Sequence, residues 1–173
     1  MPGSTSIYGF RYLEPEDPPD IAGGLQNLGQ DVEDELALRA PSVNTAALSS
    51  LYTLTDTVSN LPGCVINVTT PRAGAVALIT WTADCVLTTA GSASLTAVTN
   101  VSIDNVDQPY PQPVWGPGNQ AVQANTRGTV SAAMLATLGA GAHAFRLRGA
   151  ASSSTGQIKL NALLTQLSVL ILP

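Results

Sequence analysis

The hydrophobic positions of this chain change period near residue 41. Ile21, Leu25, Leu28, Val32 and Leu36 recur every three or four residues, whereas from about residue 43 apolar and polar positions alternate. The first pattern predicts a helix within residues 21–40, capped by Asp20 and ended by Pro41. Gly23, Gly24 and Gly29 each weaken it, by up to ~1 kcal/mol relative to alanine. A short helix with three such positions has to gain stability by packing its stripe. The second pattern predicts strands. In "SLYTLTDTV", Leu51, Thr53, Thr55 and Thr57 face away from Tyr52, Leu54, Asp56 and Val58, and "NLPG" reads as a turn. "CVINVTT", "GAVALITWTADCVLTT" and "SASLTAVTNVSIDNV" alternate in the same way. "DQPYPQPVWGPGNQ" carries four prolines and two glycines and reads as a loop. Strands resume in "QAVQANTRGTVSAAMLATL" and, after a turn at "GAGAH", in "AHAFRLRGAAS". The closing "IKLNALLTQLSVLILP" is apolar on both faces near its end, which marks a central strand or one at a subunit contact. About eight strands without a crossover helix predict a mainly β protein. Residues 43–173 are expected to form an antiparallel β-sandwich. A jelly roll is one arrangement of it and an immunoglobulin-like order is another.

Residues 1–20 follow neither period. Pro2, Pro15, Pro18 and Pro19 remove backbone donors and restrict the residues before them, so an extended arm is expected. Ile7, Tyr8, Phe10, Tyr12 and Leu13 are apolar or aromatic and need a groove on this domain, a sister subunit or a larger assembly. Charge divides at the same boundary. Residues 1–40 hold eight acids and two basic residues, a net of −6, and residues 41–173 hold four acids and five basic residues, a net of +1. With no basic stripe or run, nothing steers toward nucleic acid.

Only 11% of residues are charged, well below the usual quarter or so, which leaves a surface of Ser, Thr, Asn, Gln and Ala. Such a surface suits an extracellular or virion protein, or one enclosed in an assembly. Cys64 and Cys85 lack CxxC spacing; they read as buried thiols, with a bridge between two strands as the alternative. "MPGSTSIYGF" has no basic region followed by an apolar run, so no secretory signal is expected. No segment reaches the ~18 apolar residues of a membrane-spanning helix. Asn67-Val68-Thr69 and Asn100-Val101-Ser102 match the glycosylation sequon but read as strand sequence.

The search for chemistry finds little. His143, the single histidine, reads as a core or turn residue rather than a general base, although Asp84, Asp104 and Asp107 can approach it in space. There is no GxSxG elbow, and "GAGAHAF" lacks the spacing of a phosphate-binding loop. Asp104 and Asp107 form the nearest pair of carboxylates. An Asx turn explains them better than a calcium loop, whose spaced acids are missing. No enzymatic activity, cofactor or metal is expected. Tyr110 and Trp115, in the proline-rich loop, are candidates for stacking on sugar rings or partner surfaces, the alternative being that they fold back on the sandwich edge.

"YGFRYLEPEDPPDIAGGLQNLGQDVEDEL" resembles the amino-terminal segment of small virion proteins of tailed actinobacterial phages, an aromatic–Pro–Asp–Pro stretch followed by a short helix. Tyr12, Pro15, Asp17 and Pro18 match the first part, and Ile21, Leu25, Leu28, Val32 and Leu36 the helix. "TLGAGAHAFRLRG" resembles a turn and strand of their β-sandwich heads and of trimeric tumour-necrosis-factor-like folds, through Leu138, Gly141, His143, Phe145 and Leu147. The resemblance implies a virion structural protein of minor tail, fibre or head-decoration type. Tyr8, Phe10, Tyr12, Pro15 and Pro18 would form an anchoring arm, and the helix stripe would serve a homotrimer, with a dimer as the rival. The outward sandwich would contact a host surface glycan. A freestanding carbohydrate-binding module is the alternative.

Overall fold

A computed structural model describes residues 3–4, 11–12, 21–90, 95–116, 123–153 and 157–173. The chain divides into two compact units, Met1–Pro41 and Ser42–Leu172. In the first, β1 (Gly3–Ser4) pairs antiparallel with β2 (Arg11–Tyr12), a short ladder of extended backbone within the segment expected as an extended arm. The prolines at 15, 18 and 19 come after it and leave its donors intact. Helix α1 (Ile21–Leu38) follows. The Arg39 guanidinium reaches back one turn to Glu35 at 2.7 Å, and Gln30 donates to Asp34 at 2.9 Å.

The second unit is a sandwich of two antiparallel sheets. The larger contains β3 (Ser42–Ala47), β4 (Tyr52–Thr53), β6 (Ala75–Leu87), β10 (Arg127–Leu138), β12 (Ile158–Leu160) and β13 (Gln166–Leu172). Its centre is β6. Strand β10 runs along one side from Arg127 opposite Val86 to Leu138 opposite Ala75, while β13 and then β12 occupy the other. Strand β3 pairs beyond β13, and β4 beyond β12. The smaller sheet contains β5 (Ser59–Thr70), β7 (Ala97–Ile103), β8 (Val106–Asp107), β9 (Val114–Trp115) and β11 (Gly141–Ala151). Here β11 lies between β5 and β7, and β7 carries both β8 and β9 on its far side. Odd-numbered residues of β6 and β13 point inward, so Ile79, Trp81, Leu167 and Val169 meet Phe145, Leu147 and Val101 of the opposite sheet in one buried core. The terminal strand with two apolar faces is therefore a central one.

Three readings of the sequence are corrected. "NLPG" is no turn: β5 runs through it, and pairing with β11 slips there, from Val65 opposite Arg146 to Asn60 opposite Arg148. The extra residues form a bulge around Gly63, whose φ is +82° and whose Cβ, if present, would stand 2.7 Å from the Ala47 carbonyl oxygen. "SLYTLTDTV" pairs only through Tyr52 and Thr53, because its partner β12 is itself three residues long. The proline-rich loop contributes β8 at its entry and β9, whose Val114 and Trp115 pair with Val98 and Ala97 between flanking prolines. With these short pieces, eleven strands lie in the second unit among the described residues, against about eight expected.

One buried acid fastens the larger sheet. Asp84 accepts hydrogen bonds from the Arg127 guanidinium, from Asn161 Nδ2 at 2.6 Å and from Thr129 Oγ1 at 3.4 Å. Its backbone N–H donates to Thr165 Oγ1 at 3.2 Å, and its carbonyl accepts from the Asn161 N–H at 2.9 Å. It thereby joins β6, β10 and the turn between β12 and β13. Asp84→Ala should lower unfolding free energy by about 1–3 kcal/mol, since Asn161 and Thr129 lose a shared acceptor. Urea denaturation measures this, and a variant as stable as the parent would show that the cluster contributes nothing net.

Candidate functional site

The residues singled out from sequence are dispersed. Tyr8, Phe10, Pro15 and Pro18 lie outside the described residues; Tyr12 is in β2 and Ile21 opens α1. Leu25, Leu28, Val32 and Leu36 do form one face of α1, and all four are exposed. Tyr110 precedes a cis proline and is 81% exposed. Trp115 takes the fold-back alternative. It is partly buried against the core, and its indole occupies the space beside Gly128, where a Cβ would come within 1.9 Å of Nε1. Tyr110 is thus left as the aromatic of that loop that faces solvent.

The structure brings His143 and Asp104 together, a pairing of residues 39 positions apart. Asp104 and Asn105 occupy the tight turn between β7 and β8, with φ of 53° and 68°, as a type I′ hairpin turn requires. The Asx turn expected for the Asp104–Asp107 stretch is thus a two-residue hairpin turn, with the Asp104 carboxylate directed to β11. Its acids meet the cations of β11. Asp104 Oδ2 lies 2.8 Å from His143 Nδ1, and Asp104 Oδ1 accepts the Ala144 N–H at 2.7 Å. Asn105 accepts from Arg146, and Asp107 pairs with Arg148, whose second nitrogen donates to the Val58 carbonyl at 3.3 Å. On the other side of the ring, His143 Nε2 is 3.1 Å from the Gly139 carbonyl. Both partners of the imidazole are acceptors, so the geometry calls for an imidazolium donating twice. His143 is a clasp between two turns, and neither ring nitrogen is left to act as a base.

The clasp stands at one end of a groove of about 520 Å³ between β10 and the β7–β8 turn, lined by Ile103, Val106, Gln108, Met134 and Leu138. A second cleft, of about 420 Å³, lies on the outer face of the larger sheet. It is built of short hydroxyl and amide side chains, Thr80, Thr82, Ser131, Gln166 and Ser168. Such donors and acceptors can bind sugar hydroxyls and have no strong nucleophile among them. Cys64 and Cys85 are both free and buried, with thiol pKa values pushed up to about 11 and about 12, chiefly by desolvation. They are therefore protonated thiols without nucleophilic character at neutral pH. Among the described residues, no three His, Cys, Asp or Glu side chains gather to hold a metal ion, and no helix is long and apolar enough to cross a membrane.

Fold and site together define a mainly β protein, an antiparallel, jelly-roll-like sandwich preceded in sequence, among the described residues, by one short helix. No family model matches the chain, and no curated protein matches it. Solved structures do resemble it. An Eiger TNF from S. frugiperda is similar at 12% identity over 76% of this chain and 93% of that one, with a TM-score of 0.47. A structure of infectious bursal disease virus, Gt strain, is similar at 12% identity over 75% of this chain and 33% of that one, with a TM-score of 0.43. The VP2 subviral particle of infectious bursal disease virus gives 12% identity, coverage of 75% and 32%, and a TM-score of 0.45. The chain spans about a third of the length of the two viral chains.

The clasp makes stability depend on pH in a defined direction. The Asp104 carboxylate and then the Gly139 carbonyl raise the His143 pKa above its ordinary 6.5, with burial acting against them. The Ala144 N–H and then His143 hold Asp104 below its ordinary 3.8. A raised histidine contributes fully below pH 6.5 and loses its contribution as pH rises through the folded value; a lowered aspartate contributes above 3.8 and loses it on acidification. Between pH 6 and pH 9 the melting temperature should therefore fall more for the parent than for His143→Gln. An NMR titration of the ring should have its midpoint above 6.5. A midpoint at or below that value would contradict the clasp.

Proposed function

We propose that the protein is a non-enzymatic virion structural protein, a minor tail, fibre or capsid-decoration subunit. Its N-terminal arm anchors it to the particle, and its sandwich faces outward. The observation that carries this reading is the division of the chain into two units of different chemistry. Residues 1–40 carry a net charge of −6, and the helix within them leaves its apolar stripe uncovered. Residues 41–173 carry +1 on a sandwich with its own closed core. A segment with aromatics at 8, 10 and 12 fills a receiving groove with much apolar area per residue. The prolines at 15, 18 and 19 reduce the entropy lost on ordering it. Glu14, Glu16, Asp17 and Asp20 then orient it against basic groups on the particle. The subunit assembles with itself as a trimer, the dimer being the rival, and exposed Tyr110 and the hydroxyl-lined cleft are where a host glycan would be met.

A second reading, a freestanding carbohydrate-binding module, is favoured by that same cleft, which needs no particle to be formed. Deleting residues 1–20 separates the two. The shortened chain should keep the β-type circular dichroism of the parent and be absent from purified particles. Loading of the shortened chain at parental levels would refute the anchor, and absence of the parent itself from purified particles would favour the module.

A further inference from the structure

The corner between β10 and β11 carries the chain from the larger sheet to the smaller one. Its start is fixed, because Leu138 is buried and its carbonyl accepts the Gly74 N–H at 2.9 Å. Its end is fixed too, since Gly141 and Ala142 pair with Thr70 and Thr69 of β5. Between these points stand Gly139 and Ala140, and two side chains hold them. His143 Nε2 lies 3.1 Å from the Gly139 carbonyl, and Thr70 Oγ1 donates to the same oxygen. Thr70 is buried, and its hydroxyl also has the Gly141 carbonyl within reach at 3.3 Å. One hydroxyl proton serves one of these two acceptors at a time. The corner thus has two seats. A Cβ added at Gly139 or at Gly141 would meet no atom within 4 Å, so there is space to change between them.

We propose that this corner is a proton-operated latch: the charged imidazole of His143 holds the Gly139 carbonyl, the neutral imidazole releases it, the Thr70 hydroxyl passes to the Gly141 carbonyl, and the end of the groove between β10 and the β7–β8 turn opens. The reason is the number of donors. An imidazolium has two N–H groups for its two acceptors, Asp104 Oδ2 at 2.8 Å and the Gly139 carbonyl. When one proton leaves to water, a single N–H remains. It stays with Asp104, because a hydrogen bond to a carboxylate is about twice as strong as one to a neutral carbonyl. The bare Nε2 lone pair then faces the Gly139 oxygen, acceptor against acceptor, and the carbonyl turns away. The β7–β8 turn does not follow it. Asp104 Oδ1 keeps the Ala144 N–H at 2.7 Å, and Asn105 and Asp107 keep Arg146 and Arg148. Asp104 is the charged group that acts on the ring. Arg146 of β11 acts on Asp104 in turn. Strand β5 carries no charged side chain, β10 carries Arg127 at its far end, and the turn between β5 and β6 carries Arg72, which stays protonated throughout. Leu138, Gly139 and His143 line one end of the groove, so the release widens that end. Because Asp104 and the Gly139 carbonyl raise the ring's pKa above 6.5, the latch is closed below that value and opens as pH rises through the folded midpoint.

The latch lies within the sandwich and is independent of the anchoring role. Isotope-labelled full-length protein is titrated by NMR from about pH 5 to about pH 9, the range in which histidine changes charge. The neutral ring should carry its proton on Nδ1, read from the shifts of its two nitrogens. The amides of Ala140 and Gly141 and the methyl groups of Met134 and Leu138 should shift along the curve of the ring, with one midpoint above 6.5. The Ala144 amide should keep its protection from exchange throughout. In His143→Gln the corner and groove signals should stay in place over the same range. A neutral ring protonated on Nε2, or an Ala144 amide that loses protection while the corner stays, would assign the release to the β7–β8 turn and overturn the latch. Corner signals that do not follow the ring, or that still titrate in His143→Gln, would overturn it as well.

Discussion

Strand β6 is the constraint on which the rest of the sandwich depends. It has β10 along one side from Ala75 to Val86 and, on the other, β13 along Val76–Thr82 and β12 along Cys85–Leu87, and β10 has no other pairing partner among the described residues. Its inward residues alternate with outward ones without interruption from Ala75 to Ala83. At its middle Trp81 is buried, and the indole N–H crosses between the sheets to donate to Thr99 Oγ1 of β7 at 3.1 Å. A buried donor without an acceptor would cost about 1–3 kcal/mol. The bond therefore fixes which residue of β7 stands over β6, and with it the register of one sheet on the other. Thr165 has a similar place lower in the core, since its hydroxyl accepts the Asp84 N–H and its carbonyl faces the Cys64 thiol at 3.8 Å.

A core organised in this way leaves little chemistry available. Both thiols lie within it and are held protonated by desolvation. The single histidine spends both ring nitrogens on acceptors. Of the four acids in the second unit, Asp84 and Asp107 are paired with arginines, Asp104 with His143, and Asp56 accepts from Thr57 at 3.4 Å. What the molecule offers instead is surface: hydroxyl and amide groups on the outer face of the larger sheet, and a helix whose stripe has no cover within the described residues. These are the features on which the proposed role in assembly rests.

Local pattern was enough for much of this. Alternation in 75–87 and 141–151 is a property of consecutive residues, and both became strands with the faces it implies. The spacing from Leu25 to Leu36 likewise became one face of α1. Tertiary pairing overrode local cues elsewhere. "NLPG" has the composition of a turn, yet β11 holds Asn60 and Val65 in one strand and the bulge absorbs the difference. Val114 and Trp115 stand among prolines and still pair, because each proline lost only its own donor. The His143–Asp104 clasp joins residues 39 apart, so it does not exist as a pattern along the chain.

The account rests on a self-sufficient sandwich and a helix that needs a neighbour. Hydrogen exchange measured at several protein concentrations tests that division directly. Amides of β6 should be protected to the level of global unfolding at every concentration, because both sides of the strand are paired. Amides from Leu25 to Leu36 should exchange rapidly in dilute protein and gain protection as the concentration rises. Helix amides as protected as those of β6 in dilute protein, or unchanged across the series, would contradict the account.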